Sequence, residues 1–276
     1  MDRLGFIEYN AMLSPGTSGK ADSYARAIQI LEEVLPYQNV VNLQGRSLYE
    51  ISDTDTIEEL ERLVKVEVAK LKNHEKNIFD HGHPNQLSYP LKNFCSAALR
   101  SLKSYAQYEH DVKAADVIVA HEHNAQQISK QLLTHFDLTR EGTDVVSETK
   151  RRNGQAYFRR MILANYEGKC ALTGIDIPQL LLASHIKPWA DCKKERLNPC
   201  NGICLSALYD KAFDQGLMGF DSHYRVVLSA RITENEGKDY YNKYFAPIKS
   251  HELTMPAMYK PDTAFLEWHM DKIFQR

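Results

Sequence analysis

The chain lacks a long apolar run, a C-x-x-C cysteine pair, a low-complexity tract and a strong charge of either sign, and each lack excludes a class of protein. No stretch of its 276 residues approaches the roughly 18 consecutive apolar residues of a membrane span, so no membrane partner is expected. The opening MDRLGFIEYN has no cationic segment followed by an apolar core, which predicts no secretory leader. Five cysteines, an odd number without a leader, read as reduced thiols in a cytoplasmic protein. Cys192, Cys200 and Cys204 invite a zinc site, but Thr173 stands where a partner for Cys170 would be, and structural zinc is not expected. A formal net charge of −2 does not advertise a nucleic-acid partner. Its distribution says more. Between Ser147 and Ala230 there are 12 Lys/Arg against 8 Asp/Glu, whereas the rest of the chain carries a surplus of six acids. An anionic partner belongs on the cationic stretch, although a solvated charged face explains it equally.

What remains is an ordinary soluble composition, 43% hydrophobic and 25% charged, in a chain long enough for one large domain or two smaller ones. Apolar residues recur at three- and four-residue spacing from about Ser23 to Leu35, with Pro36 as a stop. The same pattern predicts helices over about Thr56–Leu71, capped by Asp55 or Thr54, and over about Leu91–Tyr108. A polar, helix-prone stretch follows, Glu109 to His135. Residues 1–140 therefore read as a helical domain. The polar text TREGTDVVSETKRR, from Thr139 to Arg152, reads as a boundary loop. Residues 141–276, with a core at 150–230, read as a second domain. In it Tyr157–Tyr166 is a helix stopped by Gly168, KCALTGIDI a strand and tight turn, QLLLASHI a strand ending on a histidine, and YRVVLS a further strand. Asn201-Gly202 opens a segment that becomes helical from about Ser206 and stops at Gly216.

One constellation carries chemistry. His185 follows an apolar run in ASHIKPW, Asn201-Gly202 stands in NGICL, and Asp210 and Asp214 lie one helical turn apart in LYDKAFDQG. Cys170 with Thr173-Gly174, Pro188-Trp189, Arg196, Phe213 and Gly216 complete an ordered set of anchors over residues 150–230. This segment resembles an HNH endonuclease of the bacterial restriction type. The resemblance implies an α+β protein, a helical N-terminal domain followed by a ββα-metal nuclease domain, in which a two-stranded hairpin carries the histidine and a crossing helix carries a metal ligand. Such an enzyme hydrolyses phosphodiesters of double-stranded DNA, in restriction or phage defence, to 5′-phosphate and 3′-hydroxyl ends.

The resemblance gives His185 the role of general base, and an imidazole of ordinary pKa about 6.5 is largely neutral at cellular pH. It gives Asp210 the metal-ligand position, with Mg²⁺ or Mn²⁺ as the hard cation that suits a carboxylate. Asn201 matches the middle asparagine that ties the histidine loop; an Asn-Gly turn is the plainer reading. Asp214 is a second ligand or holds an arginine. Ser184 stands where many relatives place a metal-binding aspartate, which leaves open a nucleic-acid-binding module with a degenerate site and no turnover. Lys187, Lys193, Lys194 and Arg196 surround the histidine loop and are the candidates for phosphate contact. A single site cuts one strand, so duplex cleavage implies a homodimer, and a restriction role implies a partner methyltransferase. His121 and His123 are two apart on a helix-prone stretch and do not converge on a metal; His81 and His83 read as loop polar residues.

Overall fold

A computed structural model describes residues 1–13, 19–138 and 145–276, with 145–149 described by their backbone. The chain divides into two compact units, Met1–Ala114 and Ala115–Arg276, and the division falls inside a helix.

The first unit is helical: α1 (Arg3–Leu13), α2 (Lys20–Val34), α3 (Thr54–Lys72), the single turn α4 (Ser88–Leu91) and the start of α5 (Phe94–His121). Their apolar faces supply a core that includes Phe6, Ile28, Leu31, Leu60, Val64, Leu99 and Leu102. Phe6 and Tyr9 add tilted ring contacts with Tyr105 at 5.9 and 5.4 Å. Asp53, rather than Asp55 or Thr54, caps α3 by accepting from the amides of Asp55 and Thr56. The helix expected over Leu91–Tyr108 extends to His121, absorbing half of the polar stretch behind it.

The second unit holds α6 (Ala125–His135), α7 (Val145–Asn165), a hairpin of β1 (Leu181–His185) and β2 (Gly202–Ser206), and α8 (Ala207–Asp214). A smaller hairpin follows, β3 (Met218–Phe220) with β4 (Val226–Leu228), then the short α9 (Ala230–Thr233) and α10 (Asp239–Tyr244), and the closing α11 (Thr263–Lys272). The α+β expectation holds. Three details differ from the sequence reading. The boundary loop expected to Arg152 is helical from Val145, and 139–144 lie outside the described residues. KCALTGIDI forms no strand; it closes as a turn in which Cys170 N donates to Ile175 O at 2.8 Å and Gly174 N to Cys170 O at 2.9 Å. The compact units divide at Ala114 rather than near 140, because α6 buries Ile128, Leu132 and Leu133 and packs on the segments Lys193–Glu195 and Pro199–Asn201 of the second unit.

Candidate functional site

β1 and β2 pair antiparallel with His185 opposite Gly202 and Ser184 opposite Ile203. Side chains alternate along a strand, so Ser184 and His185 leave opposite faces of the hairpin. α8 covers the Ser184 face and α7 the His185 face. Gly202 makes the second packing possible: a Cβ there would stand 2.5 Å from Ile162 Cδ1 and 2.8 Å from Phe158 Cζ of α7. The glycine of the Asn-Gly pair is thus required by close approach, not by a turn.

On the α7 face, the His185 ring stacks on Phe158, centroids 3.8 Å apart and 14° between planes, and meets Trp189 edge-on at 5.6 Å. Its Nε2 lies 2.9 Å from Arg196 O. A carbonyl only accepts, so this contact sets the tautomer with the proton on Nε2 and leaves the lone pair on Nδ1. Burial pushes the imidazole down to about 4, opposed by the bond to Arg196 O and aided by the Arg196 charge. The ring is therefore neutral across the physiological range.

Asn201 does tie the loop that returns to this ring. Fully buried, it accepts from Lys187 N at 2.9 Å through Oδ1. Its Nδ2 donates to Lys187 O at 3.1 Å and Glu195 O at 3.0 Å. Among the described residues its side-chain hydrogen bonds go to the loop backbone and none to the imidazole. Arg196 Nε donates to Trp189 O at 2.8 Å, and its guanidinium lies 5.0 Å from the Trp189 ring centre. The indole Nε1 of Trp189 is buried with no partner among the described residues.

On the α8 face, Ser184, 2% exposed, donates to Asp210 Oδ1 at 2.6 Å. Burial raises the Asp210 carboxyl, a shift the Ser184 bond and the Lys211 charge oppose. Asp214, more open at its rim, is pushed up to about 6 by burial and by the Asp210 charge. Burial thus raises both carboxyls, Asp214 also through the Asp210 charge, and oxygen donors of this kind beside a hydroxyl are the type a hard divalent cation takes. Among the described residues no cluster of three or more His, Cys, Asp or Glu could hold a metal, so a cation here would complete its shell with water or phosphate.

The four basic candidates separate. Lys193 and Lys194 are exposed, Arg196 braces the loop through Trp189, and the Lys187 ammonium sits 4.2 Å from the centre of the Phe265 ring of α11. Several contributors carried no sequence signal. Phe158 is the stacking partner of the histidine. His269 of α11 lies flat on Phe213, centroids 3.9 Å apart, with Nε2 3.2 Å from Phe213 O, and so steadies the last turn of α8. Arg159 donates to Leu181 O at 2.6 Å and Pro178 O at 2.9 Å, fixing the entry into β1. Among the described residues no helix is long and apolar enough to cross a membrane.

Residues 170–221 match the sequence model of a family described as HNH endonuclease. No curated protein matches the chain. The match spans β1, β2 and α8 and contains every residue placed above on the two faces of the hairpin except Phe158, Arg159 and Ile162 of α7 and the α11 side chains. The C-terminal half therefore contains a segment similar to HNH endonucleases.

Proposed function

We propose that this HNH domain is a divalent-metal-dependent endonuclease that hydrolyses phosphodiester bonds of double-stranded DNA to 5′-phosphate and 3′-hydroxyl ends, in a restriction or phage-defence role. The observation that carries the reading is one pair of adjacent residues at the very end of β1, whose two faces a phosphate lying across the strand end would have to reach together. His185 has Nε2 held on Arg196 O, which leaves the Nδ1 lone pair as the ring's acceptor, and Ser184 beside it is bonded to Asp210. His185 accepts a proton at Nδ1 from a water as the water oxygen bonds to phosphorus and the bond to the leaving 3′-oxygen breaks. Asp210, Asp214 and Ser184 would hold the cation, Mg²⁺ or Mn²⁺, which supplies charge neutralisation to the phosphate and the leaving oxygen. Stacking on Phe158 keeps the base neutral and fixed in plane, which is what a base needs before the proton moves. Lys193 and Lys194 meet the DNA backbone electrostatically. Arg196 and Lys187, engaged with Trp189 and Phe265, shape the loop first.

A homodimer would bring two such sites to the two strands, and the helical N-terminal region would supply target recognition or dimerisation. Cytoplasmic action beside a protecting methyltransferase completes the restriction reading. One observation favours a second reading, a DNA-binding module without turnover: Ser184 is uncharged and its hydroxyl is already committed to Asp210.

Supercoiled plasmid incubated with the protein in Mg²⁺ or Mn²⁺ separates them. A nuclease converts it to nicked or linear DNA, is silenced by EDTA, and leaves ends that ligase can reseal. Plasmid retarded on a gel but covalently intact in both cations establishes the binding module instead.

A further inference from the structure

Three consecutive carbonyls in the loop between β1 and β2 are each taken by a side chain from a different place. Lys194 O accepts from Ser129 Oγ of α6 at 2.8 Å, Glu195 O from Asn201 Nδ2 at 3.0 Å, and Arg196 O faces His185 Nε2 at 2.9 Å. The third contact orients the base. The second belongs to the matched domain. The first comes from a helix 65 residues away from its partner in sequence and outside the matched residues.

Ser129 is an unusual serine. It is 1% exposed in the middle of α6, beside the apolar Ile128 and Leu132 that dock the helix, while Gln126, Gln127, Lys130 and Gln131 face solvent. A serine inside a helix ordinarily bonds its hydroxyl back to the carbonyl four residues earlier. Thr134 of the same helix does so, to Lys130 O at 3.0 Å. Ser129 instead reaches outward to the loop. A buried hydroxyl is tolerated only when paired, and its pairing is to the residue two before the carbonyl that holds the imidazole.

We propose that Ser129 is a positioning residue for the base: its hydroxyl fixes the backbone at Lys194, which sets the place of Arg196 O and with it the tautomer of His185. The proposal rests on the nuclease reading and extends the site to α6. Packing of Ile128, Leu132 and Leu133 keeps α6 docked without the hydroxyl, so the Ser129→Ala protein folds. Its Lys194 carbonyl loses its partner, the 194–196 segment shifts, and Arg196 O no longer holds Nε2–H alone.

The test uses the full chain with Ser129→Ala, Ser129→Cys, which keeps the size with a weaker donor, and Thr134→Ala as a control on the same helix. Nitrogen NMR of the imidazole reads the His185 tautomer, assigned by its disappearance in His185→Gln. The expected result is one Nε2–H tautomer in the unsubstituted protein and in Thr134→Ala, a mixture in Ser129→Ala, and a smaller admixture in Ser129→Cys. Plasmid cleavage at saturating DNA and Mn²⁺ should fall about tenfold in Ser129→Ala, with both half-saturating concentrations held within about twofold, because geometry at the base is lost and not binding. An unchanged tautomer in a folded Ser129→Ala protein overturns the proposal. So does a rate loss matched by weaker Mn²⁺ dependence, which marks a general structural role. If the unsubstituted protein cleaves in no cation, the nuclease reading has failed, and the tautomer measurement still decides the role of Ser129.

Discussion

Ser184 and His185 are neighbours in sequence, yet the strand sends them into opposite environments. The Ser184 face meets α8, where two carboxyls lie one turn apart and burial raises both. The His185 face meets α7 and Trp189, where aromatic rings enclose an imidazole and burial lowers it to about 4. The same physical cause, loss of water around an ionisable group, thus acts on the two faces with opposite sign. It leaves an uncharged base on one side and a pair of reluctant anions on the other. A divalent cation relieves the second and does nothing for the first. The two halves of the site are therefore separable, and substitutions can break one without the other.

Removing the base should have the largest effect. His185→Ala should lower plasmid cleavage by about 10²–10⁴-fold, the range general-base catalysis contributes. Its half-saturating Mn²⁺ should stay near the unsubstituted value, because the carboxylates lie on the other face. Cleavage within tenfold of the unsubstituted rate would remove His185 from the mechanism.

Asp210→Ala attacks the other face and should abolish cleavage at low millimolar Mg²⁺. Asp210→His should recover part of it in Mn²⁺ or Ni²⁺, since imidazole favours the later transition metals. Asp214→Ala should be milder, because Asp214 lies nearer solvent and lacks the Ser184 bond. A metal titration of the three variants decides it: full activity in Asp210→Ala with loss in Asp214→Ala would move the cation site one helical turn.

The α8 face was the more legible of the two in the sequence. Its residues sit in one short stretch, and helical spacing alone puts Asp210 and Asp214 on one side. Only one strand of the hairpin was legible from its residues: the apolar run ending in histidine marked β1, whereas Gly202–Ser206 read only as the opening of a segment that turns helical. KCALTGIDI misled because alternation with β-branched residues describes a strand that pairs along its length, and here Cys170 and Gly174 close a turn on themselves while Ala171 reaches out, donating to Cys204 O and accepting from Thr254 N. The His185 face was least visible. Its walls are Phe158 on α7 and the 190s loop, and the loop's brace is Ser129, a lone serine on a helix that composition assigns to the other domain. Nothing in local sequence marks a serine that bonds 65 residues away. The Asn-Gly pair was legible as a motif but not in its physics, since Gly202 serves the packing of α7 and Asn201 the loop.

Stability against pH, measured as thermal midpoint in EDTA, should show the two faces pulling in opposite directions. His185 is held at about 4 in the folded protein against an ordinary 6.5, so its stabilisation is present above 6.5 and is lost as pH falls through 4. His269, also lowered to about 4 by burial, adds to that loss. Asp214 is raised to about 6 from 3.8, so its contribution is present below 3.8 and is lost as pH rises through 6. His185→Phe, which keeps an aromatic ring on Phe158, should flatten part of the acid-side fall. Asp214→Asn should raise the midpoint at pH 7.5 and leave it unchanged near pH 4. A midpoint at pH 7.5 that does not move would show that the Asp214 charge is not strained by its neighbours.

The smallest effect, and the one that bears most on the choice between nuclease and binding module, concerns Ser184. Its hydroxyl donates to the Asp210 oxygen that a cation would compete for, so in the metal-free protein it quiets a charge and in the loaded protein it is at best a neutral ligand. Ser184→Ala removes that bond and leaves Asp210 more strongly raised, so half-saturating Mn²⁺ should rise only modestly, by about two- to fivefold, the scale of one neutral hydrogen bond. Ser184→Asp places a third carboxyl against Asp210 and Asp214. Without metal it should lower the thermal midpoint at pH 8, where all three are charged, and the loss should disappear near pH 4. With metal the sign reverses: half-saturating Mn²⁺ should fall below that of the unsubstituted protein, and the cleavage rate at saturation should change little because His185 is untouched on its own face. If Ser184→Asp destabilised the metal-free protein at pH 8 and Mn²⁺ restored none of that stability, the α8 face would be an acid cluster without a cation, and the binding module would be the better account.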